Sequence, residues 1–426
     1  MTSTILVASS AAAFRSNRRD PLPWLFALVF AVAIPVAGGG GVLAADVLMA
    51  IMLWPALLSL LNREIFLRRL WLVALLWSAA QVVSDLVHKQ YHFSSLMYVA
   101  PVTALLATGL LWLHSQRAIS VSALLVAVGA GWMILEIISG NILSSSNPWK
   151  YGLSTPVTIL VLSIAYNRKM SRATIVGLLL ALAVTSYLFD SRIQLALFLV
   201  CAISLCFVHD SRSKQERRTT RTIGSLLIVG FSLYSAYPAA ASSGILGVRA
   251  SQQQAVYDKE GANYVLATRK EFPQIAYLVS QNPVLGIGSY GALSREQRSG
   301  ALEFVDSHVA PLTATDRSYL TSSASTNVGY RAHSSAMSSA LYAGIFALPF
   351  WVFLLVQNGR AALRFAQGRG TVPVLLLYMC ALTTWDAFFS PITNRTHLSV
   401  GITLFLLAVV MKREKNADTT GRAVTP

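Results

Sequence analysis

Long apolar stretches alternate with short polar clusters along most of this chain. Stretches of about 18 or more apolar residues suffice to cross a ~30 Å hydrocarbon core as a helix. They predict twelve spans, near residues 22–40, 43–61, 70–87, 96–114, 120–139, 151–166, 173–189, 193–208, 223–241, 335–357, 371–386 and 397–411. Four glycines, residues 38–41, predict a tight reversal between the first two spans. The pattern therefore predicts an all-α polytopic integral membrane protein with about 12 transmembrane helices.

One long polar segment, residues 237–332, interrupts this alternation. It separates an N-terminal transmembrane bundle, residues 1–236 with spans 1–9, from a C-terminal part, residues 333–426, with spans 10–12 and a tail. Its stretch "SQQQAVYDKEGANYVLATRKEFPQIAYLVSQNP" carries apolar residues at helical spacing, which predicts amphipathic helices lying on one face of the bundle. The following "NPVLGIGSYG" predicts a turn rich in proline and glycine.

Charge excludes a nucleic-acid partner and sets the expected orientation. Only 12% of residues are charged and 54% are hydrophobic, whereas soluble proteins carry about 25% charged residues. The net charge of +16 comes from short basic clusters between apolar stretches, which is the distribution expected of cytoplasmic loops. With the N-terminus inside, the inner segments hold 22 of the 34 Lys and Arg residues and the short outer turns hold four. Both termini are predicted to be cytoplasmic and residues 237–332 to lie outside.

Reactive side chains at the outer boundary are few. Arg192 follows Asp190 and Ser191 in the short turn of "YLFDSRIQLALF", where these two residues are expected to cap the next helix. In the alternative interpretation, Arg192 only ends a span and extends its side chain toward water. However, arginine is disfavoured in short turns on the outer side of the membrane, and the positive N-terminus of the following helix attracts anions to this turn. Arg269 in "ATRKEF" is a second candidate, although a charge on an amphipathic helix is usually just solvated.

His333 and Arg331 are the only titratable groups of "GYRAHSSAMSSALYAGIFALPF", where the long polar segment meets an apolar span. A histidine at a helix start is more often a structural hydrogen-bonding group than a catalyst. The small residues that follow, down to Gly344 three turns on, permit close helix packing. A buried helix N-terminus would also keep the ring neutral and able to accept a proton, as a general base must.

Acidic side chains near the same boundary are possible partners for these groups. Asp386, in "TTWDAFFSPITNRTH", could orient the histidine or an arginine, and so could Asp85 or His88 near the end of another span. No metal or cofactor is predicted, because motifs such as HExxH and CxxC are absent from the sequence. The three cysteines all fall within apolar stretches and read as small core residues.

Together these motifs resemble the bacterial O-antigen ligase and O-antigen polymerase family. That family carries a large periplasmic loop with an arginine and an "hPxxGxG" turn, followed by a histidine in "H-[NSQ]-x9-G" that opens the next span. Here Arg269, "NPVLGIG" and His333-Ser334 with Gly344 correspond to these motifs, and "DSR" at Arg192 matches an earlier arginine in a short periplasmic turn. The match covers roughly residues 170–400. Ile193 after Arg192 departs from the small residues common at that position.

The resemblance implies a membrane-embedded glycosyltransferase, similar in architecture to the GT-C class, in the bacterial inner membrane with its active site on the periplasmic side. The donor would be a polysaccharide on undecaprenyl diphosphate and the acceptor a sugar hydroxyl of lipid A–core, both held at the boundary by membrane lipid. His333 would act as general base while Arg192 and Arg269 meet the charge developing on the diphosphate without a metal. Ser191, Arg331 and Asp386 would also contribute to substrate binding.

Three other functions stay open at this point. A polymerase would add the polysaccharide to another repeat unit, and a protein O-oligosaccharyltransferase would add it to Ser or Thr. Polymerases usually distribute their functional arginines over two sizeable periplasmic loops, whereas this chain has one dominant loop. A transporter of lipid-linked sugars would carry charges along a mid-membrane path, but the candidate charges of this chain cluster at the outer boundary.

Overall fold

The protein is described here from a computed structural model. It describes residues 30, 33–36, 40–89, 96–116, 119–139, 147–207, 235, 238–245, 251, 252, 254, 255, 258, 271–289, 293–308, 312, 317, 318, 333–366, 373–393 and 396–422. Within these residues the chain is a bundle of helices that begins with one small β-hairpin.

The hairpin replaces the end of the first predicted span. Strand β1 (Ala33–Val36) pairs with β2 (Gly40–Leu43) in antiparallel register, with Val36 opposite Gly40. The predicted reversal is confirmed, but the prediction of helix as far as residue 40 is wrong for 33–36. Pro35 cannot donate a backbone hydrogen bond, and the glycines that follow disfavour helix, so the extended conformation prevails.

The remaining elements are helices. In chain order they are α1 (Ala44–Leu53), α2 (Leu57–Arg63), α3 (Ile65–Val87), α4 (Leu96–Gln116), α5 (Val121–Ile138), a π-helical turn (Trp149–Leu153), α6 (Ser154–Asn167), α7 (Arg172–Leu188), α8 (Arg192–Phe207), α9 (Glu271–Gln281), α10 (Arg295–His308), α11 (Ser335–Ala343), a 3-10 turn (Gly344–Ala347), α12 (Leu348–Ala366), α13 (Val374–Phe389) and α14 (Thr396–Arg422). Of the amphipathic helices predicted in the stretch from residue 251 to 283, the structure describes α9, whereas α10 lies beyond that stretch and was not predicted.

Several of these helices are long and apolar enough to cross a membrane. Four stretches in the described part of the chain qualify: Ile65–Val87, Val121–Ile138, Ser335–Ala366 and Thr396–Arg413. A fifth is added if α1 and α2, which are bent by 79° relative to each other, form one broken span. Helices α7, α8 and α13 are apolar but shorter. Leu72, Val184 and Val352 are among the large apolar side chains left exposed on the bundle, as lipid-facing residues are.

These features are consistent with a helical membrane protein. The count of twelve spans stays a prediction, because residues 22–29 of the first predicted span and most of 223–241 lie outside the described residues.

Aromatic packing joins α3 to the first turn of α12, just after the break that follows α11. The ring of Trp77 is fully buried and lies 5.4 Å from that of Phe350 and 5.9 Å from that of Trp351. Aromatic pairs of this kind contribute about 0.5–1.5 kcal/mol beyond the area that they bury. The indole of Trp351 also donates a hydrogen bond to the Ser339 hydroxyl at 2.8 Å. This packing fixes α11 against α3, which matters for the site described next.

Candidate functional site

His333 lies immediately before α11, and the two serines after it fasten this helix to the end of α13. Ser334 is the N-cap: its hydroxyl accepts the Met337 amide at 3.2 Å and donates to the Ala387 carbonyl at 2.9 Å. The Ser335 hydroxyl donates to the Ser390 carbonyl, also at 2.9 Å. The start of α11 is therefore held at a fixed position against the last turn of α13.

A carboxylate lies beside the histidine ring. Oε1 of Glu271, the first residue of α9, is 3.1 Å from Nδ1 of His333. Nδ1 has no aligned hydrogen-bond partner, so the carboxylate lies close to this nitrogen but off the direction of an N–H bond. The two observations agree on an electrostatic contact at hydrogen-bond distance. The Glu271 side chain is 11% exposed, and that of His333 is 34% exposed.

This environment differs from the one expected at a buried helix N-terminus. The His333 ring is partly exposed, because it stands on the residue before the N-cap rather than within the helix. The Glu271 carboxylate also opposes the positive end of α11, so the ring sits between charges of opposite effect. Glu271 was not singled out from the sequence. Its position in the same short stretch as Arg269 was the only signal that could have pointed to it.

The glycine-containing turn, residues 282–289, interlocks with the break after α11. Ile287 donates its amide to the Leu341 carbonyl at 2.8 Å, and Gly288 donates to Tyr342 at 3.1 Å. Ile345 donates in the opposite direction, to Pro283, at 2.8 Å. Two sequence motifs that lie more than fifty residues apart thus form one unit through three backbone hydrogen bonds.

Glycine is required at the points where the two backbones approach most closely. Gly286 and Gly344 have φ values of +67° and +73°, in the left-handed region that glycine tolerates. A Cβ on Gly344 would overlap the Val284 carbonyl oxygen, and one on Gly286 would overlap that of Leu341. The span predicted as one helix over 335–357 is consequently broken at Gly344, where the chain passes through a 3-10 turn into α12.

Residues at the end of α3 also bind the glycine turn. Asp85 accepts hydrogen bonds from the Ser289 amide, the Ser289 hydroxyl at 2.8 Å and the Gln81 side chain at 3.1 Å. The His88 ring lies with Nε2 3.0 Å from the Gly286 carbonyl. The sequence predicts Asp85 and His88 as possible partners for a catalytic histidine or arginine. The structure instead gives them the role of holding the glycine turn, and Ser289 and Gln81 are further members of this cluster that sequence reasoning missed.

Arg192 begins α8 after a tight turn of defined geometry. Ser191 donates its amide to the Ser186 carbonyl at 2.8 Å and Asp190 donates to Tyr187 at 3.1 Å, with Asp190 at a φ of +47°. This is the Schellman arrangement that closes a helix. The two residues therefore end α7, and the Ser191 carbonyl also starts α8 by accepting the Leu195 amide at 3.0 Å.

The Asp190 carboxylate lies 3.3 Å from Nε of Arg192, whose side chain is 26% exposed. Ser191 is buried. Ser191 therefore stands at the N-cap position of α8 through its backbone, whereas Asp190, which the sequence also predicts as a cap of α8, ends α7 and contacts Arg192 instead.

Helix α13 is common to the surroundings of Arg192 and His333. Gln194, half a turn after Arg192, accepts a hydrogen bond from the Tyr378 hydroxyl of α13 at 2.8 Å. Asp386 lies in the last turn of α13, one residue before the carbonyl that binds Ser334, and is partly buried. These contacts bring the helices that carry Arg192 and His333 against α13, the helix that carries Asp386.

Arg269 and Arg331 lie outside the described residues, so their predicted roles stay predictions. In the part of the chain that is described, no group of three or more His, Cys, Asp or Glu side chains is arranged to hold a metal ion. No family model, curated protein or solved structure matches this chain.

Proposed function

We propose that this protein is a bacterial O-antigen ligase of the inner membrane, with twelve spans and a GT-C-like architecture. It would transfer a polysaccharide from undecaprenyl diphosphate to a sugar hydroxyl of lipid A–core on the periplasmic side. The observation that carries the proposal is the position of His333 at one end of the bundle. There the loop helix α9 and the end of α13 meet at the start of α11, while the glycine turn holds the other end of the same helix.

In this proposal His333 takes the proton of the acceptor hydroxyl as the new glycosidic bond forms. The bond from the anomeric carbon to the diphosphate breaks with its electron pair, and undecaprenyl diphosphate leaves. Arg192 and Arg269 meet the charge that develops on the diphosphate. A single displacement of this kind inverts the anomeric centre. Arg331, Asp386 and Ser191 are proposed to line the same substrate site.

The decisive experiment is reconstitution of the purified protein in detergent with an undecaprenyl-diphosphate-linked donor and lipid A–core. Formation of a larger lipid A–core species on a gel is expected from the wild-type protein and not from His333→Ala at equal expression. EDTA should leave the rate unchanged. His308→Ala is the matched control, because His308 is an exposed loop histidine stacked on Phe304.

The remaining alternatives give different results in the same experiment. A polymerase extends the lipid-linked donor and leaves lipid A–core unchanged, and a protein O-oligosaccharyltransferase shifts a protein band. A transporter produces no conjugate with any acceptor in detergent. Near-normal ligation by His333→Ala would remove this histidine from the mechanism.

A further inference from the structure

The contact between Glu271 and His333 carries one inference, which rests on the proposed function. We propose that Glu271 is the positioning residue of His333. Its carboxylate holds the ring proton on Nδ1, so that Nε2 is the nitrogen that accepts the proton of the acceptor hydroxyl. When His333 becomes an imidazolium during transfer, the same carboxylate stabilises the new positive charge.

The exposure of the ring atoms supports this division of roles. The His333 side chain is 34% exposed as a whole, yet its Nδ1 atom is fully buried. The exposed part of the ring is therefore on its other edge, where Nε2 lies. A substrate hydroxyl approaching from outside the bundle reaches Nε2, whereas Nδ1 is available only to protein groups such as Glu271.

The present alignment of the pair also fits this role. Oε1 of Glu271 is within 3.1 Å of Nδ1, but the geometry is not that of a straight hydrogen bond. Catalytic hydrogen bonds are often poorly aligned without substrate and tighten in the complex. A small rotation of the ring or of the carboxylate aligns the two atoms without moving either helix, since α11 is anchored through Ser334 and Ser335.

Chemically, the carboxylate supplies two things that a lone histidine lacks. A partner that accepts the proton of one ring nitrogen fixes the tautomer and leaves the second nitrogen as a base. A fixed negative charge also stabilises the imidazolium more than the neutral ring, so it favours proton uptake in the transition state. The proton moves from the acceptor oxygen to Nε2, and Nδ1 keeps its proton throughout.

The first test needs no turnover. The protein is labelled with ¹⁵N-histidine, and the His333 signals are identified by their loss in His333→Ala. The expected result is an Nδ1–H tautomer in the wild-type protein, retained in Glu271→Gln, whose amide oxygen still accepts the proton, and lost in Glu271→Ala. A wild-type signal from the Nε2–H tautomer, or a tautomer that is the same in Glu271→Ala, overturns the proposal.

The second test is a double-mutant cycle on the transfer reaction. Orienting partners of metal-bound histidines typically contribute about 10–100-fold, and we expect Glu271→Ala to lower kcat by a similar factor with the donor KM unchanged. In a His333→Ala background the same change should not lower the residual rate, measured over long incubation, any further, because the two residues act as a unit. A positioning role is contradicted if Glu271→Ala still lowers the rate when His333 is absent, or if it raises the donor KM and leaves kcat unchanged.

Glu296→Ala is the matched control, because Glu296 is likewise an acidic residue in the first turn of a loop helix but is exposed. It should leave both the tautomer and kcat unchanged. The two tests also separate this inference from the proposed function. An Nδ1–H tautomer that depends on Glu271 in a protein without transferase activity supports the positioning role and removes the ligase proposal. Transfer that needs His333 but not Glu271 supports the ligase proposal and removes the positioning role of Glu271.

Discussion

At the scale of single residues, Arg192 combines a cation with a rigid support. Its side chain is partly exposed and contacts Asp190, whose backbone is fixed by the turn that closes α7. A charge-assisted hydrogen bond contributes about 1.5–3 kcal/mol, so Arg192→Ala should lower kcat/KM for the donor by roughly ten- to more than a hundredfold. Arg295→Ala, which removes an exposed arginine from α10, should not change it. Equal activity of both variants would identify Arg192 as an arginine that only ends a span.

A second residue-scale prediction concerns Asp306, near the end of α10. Its carboxylate accepts the Leu312 amide at 2.7 Å and pairs with Arg317. The hydrogen bond from Leu312, and then the contacts with Arg317, lower the pKa of Asp306 below its usual value of 3.8. A carboxyl group with a lowered pKa stabilises the folded loop at any pH above its usual pKa. This stabilisation is lost as the pH falls through the lowered pKa.

Hydrogen exchange at the Leu312 amide, corrected for intrinsic rates, measures this dependence. Protection should be constant above about pH 4 and fall as the solution becomes more acidic. Asp306→Ala should lose the protection at every pH. Asp306→Asn can still accept the amide hydrogen bond and should show no acid transition, and an unchanged transition in that variant would contradict the assignment.

At the scale of elements, the interlock between the glycine turn and the break after α11 predicts a selective sensitivity to a single methyl group. Gly344→Ala places a Cβ on the Val284 carbonyl at a φ of +73° and a ψ of −166°, a backbone conformation that alone costs about 1–3 kcal/mol for a residue other than glycine. Gly177→Ala, inside α7 and with nothing within 4 Å of the added Cβ, should be neutral or stabilising by about 0.5–1 kcal/mol. Thermal unfolding in detergent should therefore separate the two variants, and similar melting temperatures would contradict the interlock.

The same elements show which features of the fold could be predicted from the sequence and which could not. Apolar length predicted helices at nearly every position where the structure has them, because helix formation in an apolar stretch depends on local composition. The break at Gly344 was not predicted, because it depends on a backbone carbonyl from a segment about sixty residues earlier in the chain. Asp85 was predicted only as a possible partner of a histidine or an arginine, because its actual partner Ser289 lies in the glycine turn and no local pattern connects them. Glu271 was missed for the same reason.

At the scale of the whole molecule, segments assigned to one side of the membrane do meet. Glu64 and Lys412, both predicted to be cytoplasmic, form an ion pair at 3.3 Å. At the other end of α3, Asp85 and Ser289, both assigned to the outer side, are joined by a hydrogen bond, and Glu271 and His333 of the outer segment also meet each other. Alternation of charge along the sequence therefore predicted which segments share an end of the bundle, whereas the contacts made at each end depend on tertiary packing.

The orientation of these two ends is the last prediction, and cysteine labelling tests it. Cys206 is exposed while Cys201 and Cys380 are buried, so Cys206→Ser gives a background with little reactivity. In intact cells with a permeabilised outer membrane, Ser307→Cys in α10 should react with a membrane-impermeant maleimide. Arg168→Cys, exposed after α6, should react only once the inner membrane is opened, because the distribution of basic residues predicts that this end is cytoplasmic. The reverse pattern would put His333 on the cytoplasmic side, where a ligase could not reach its acceptor.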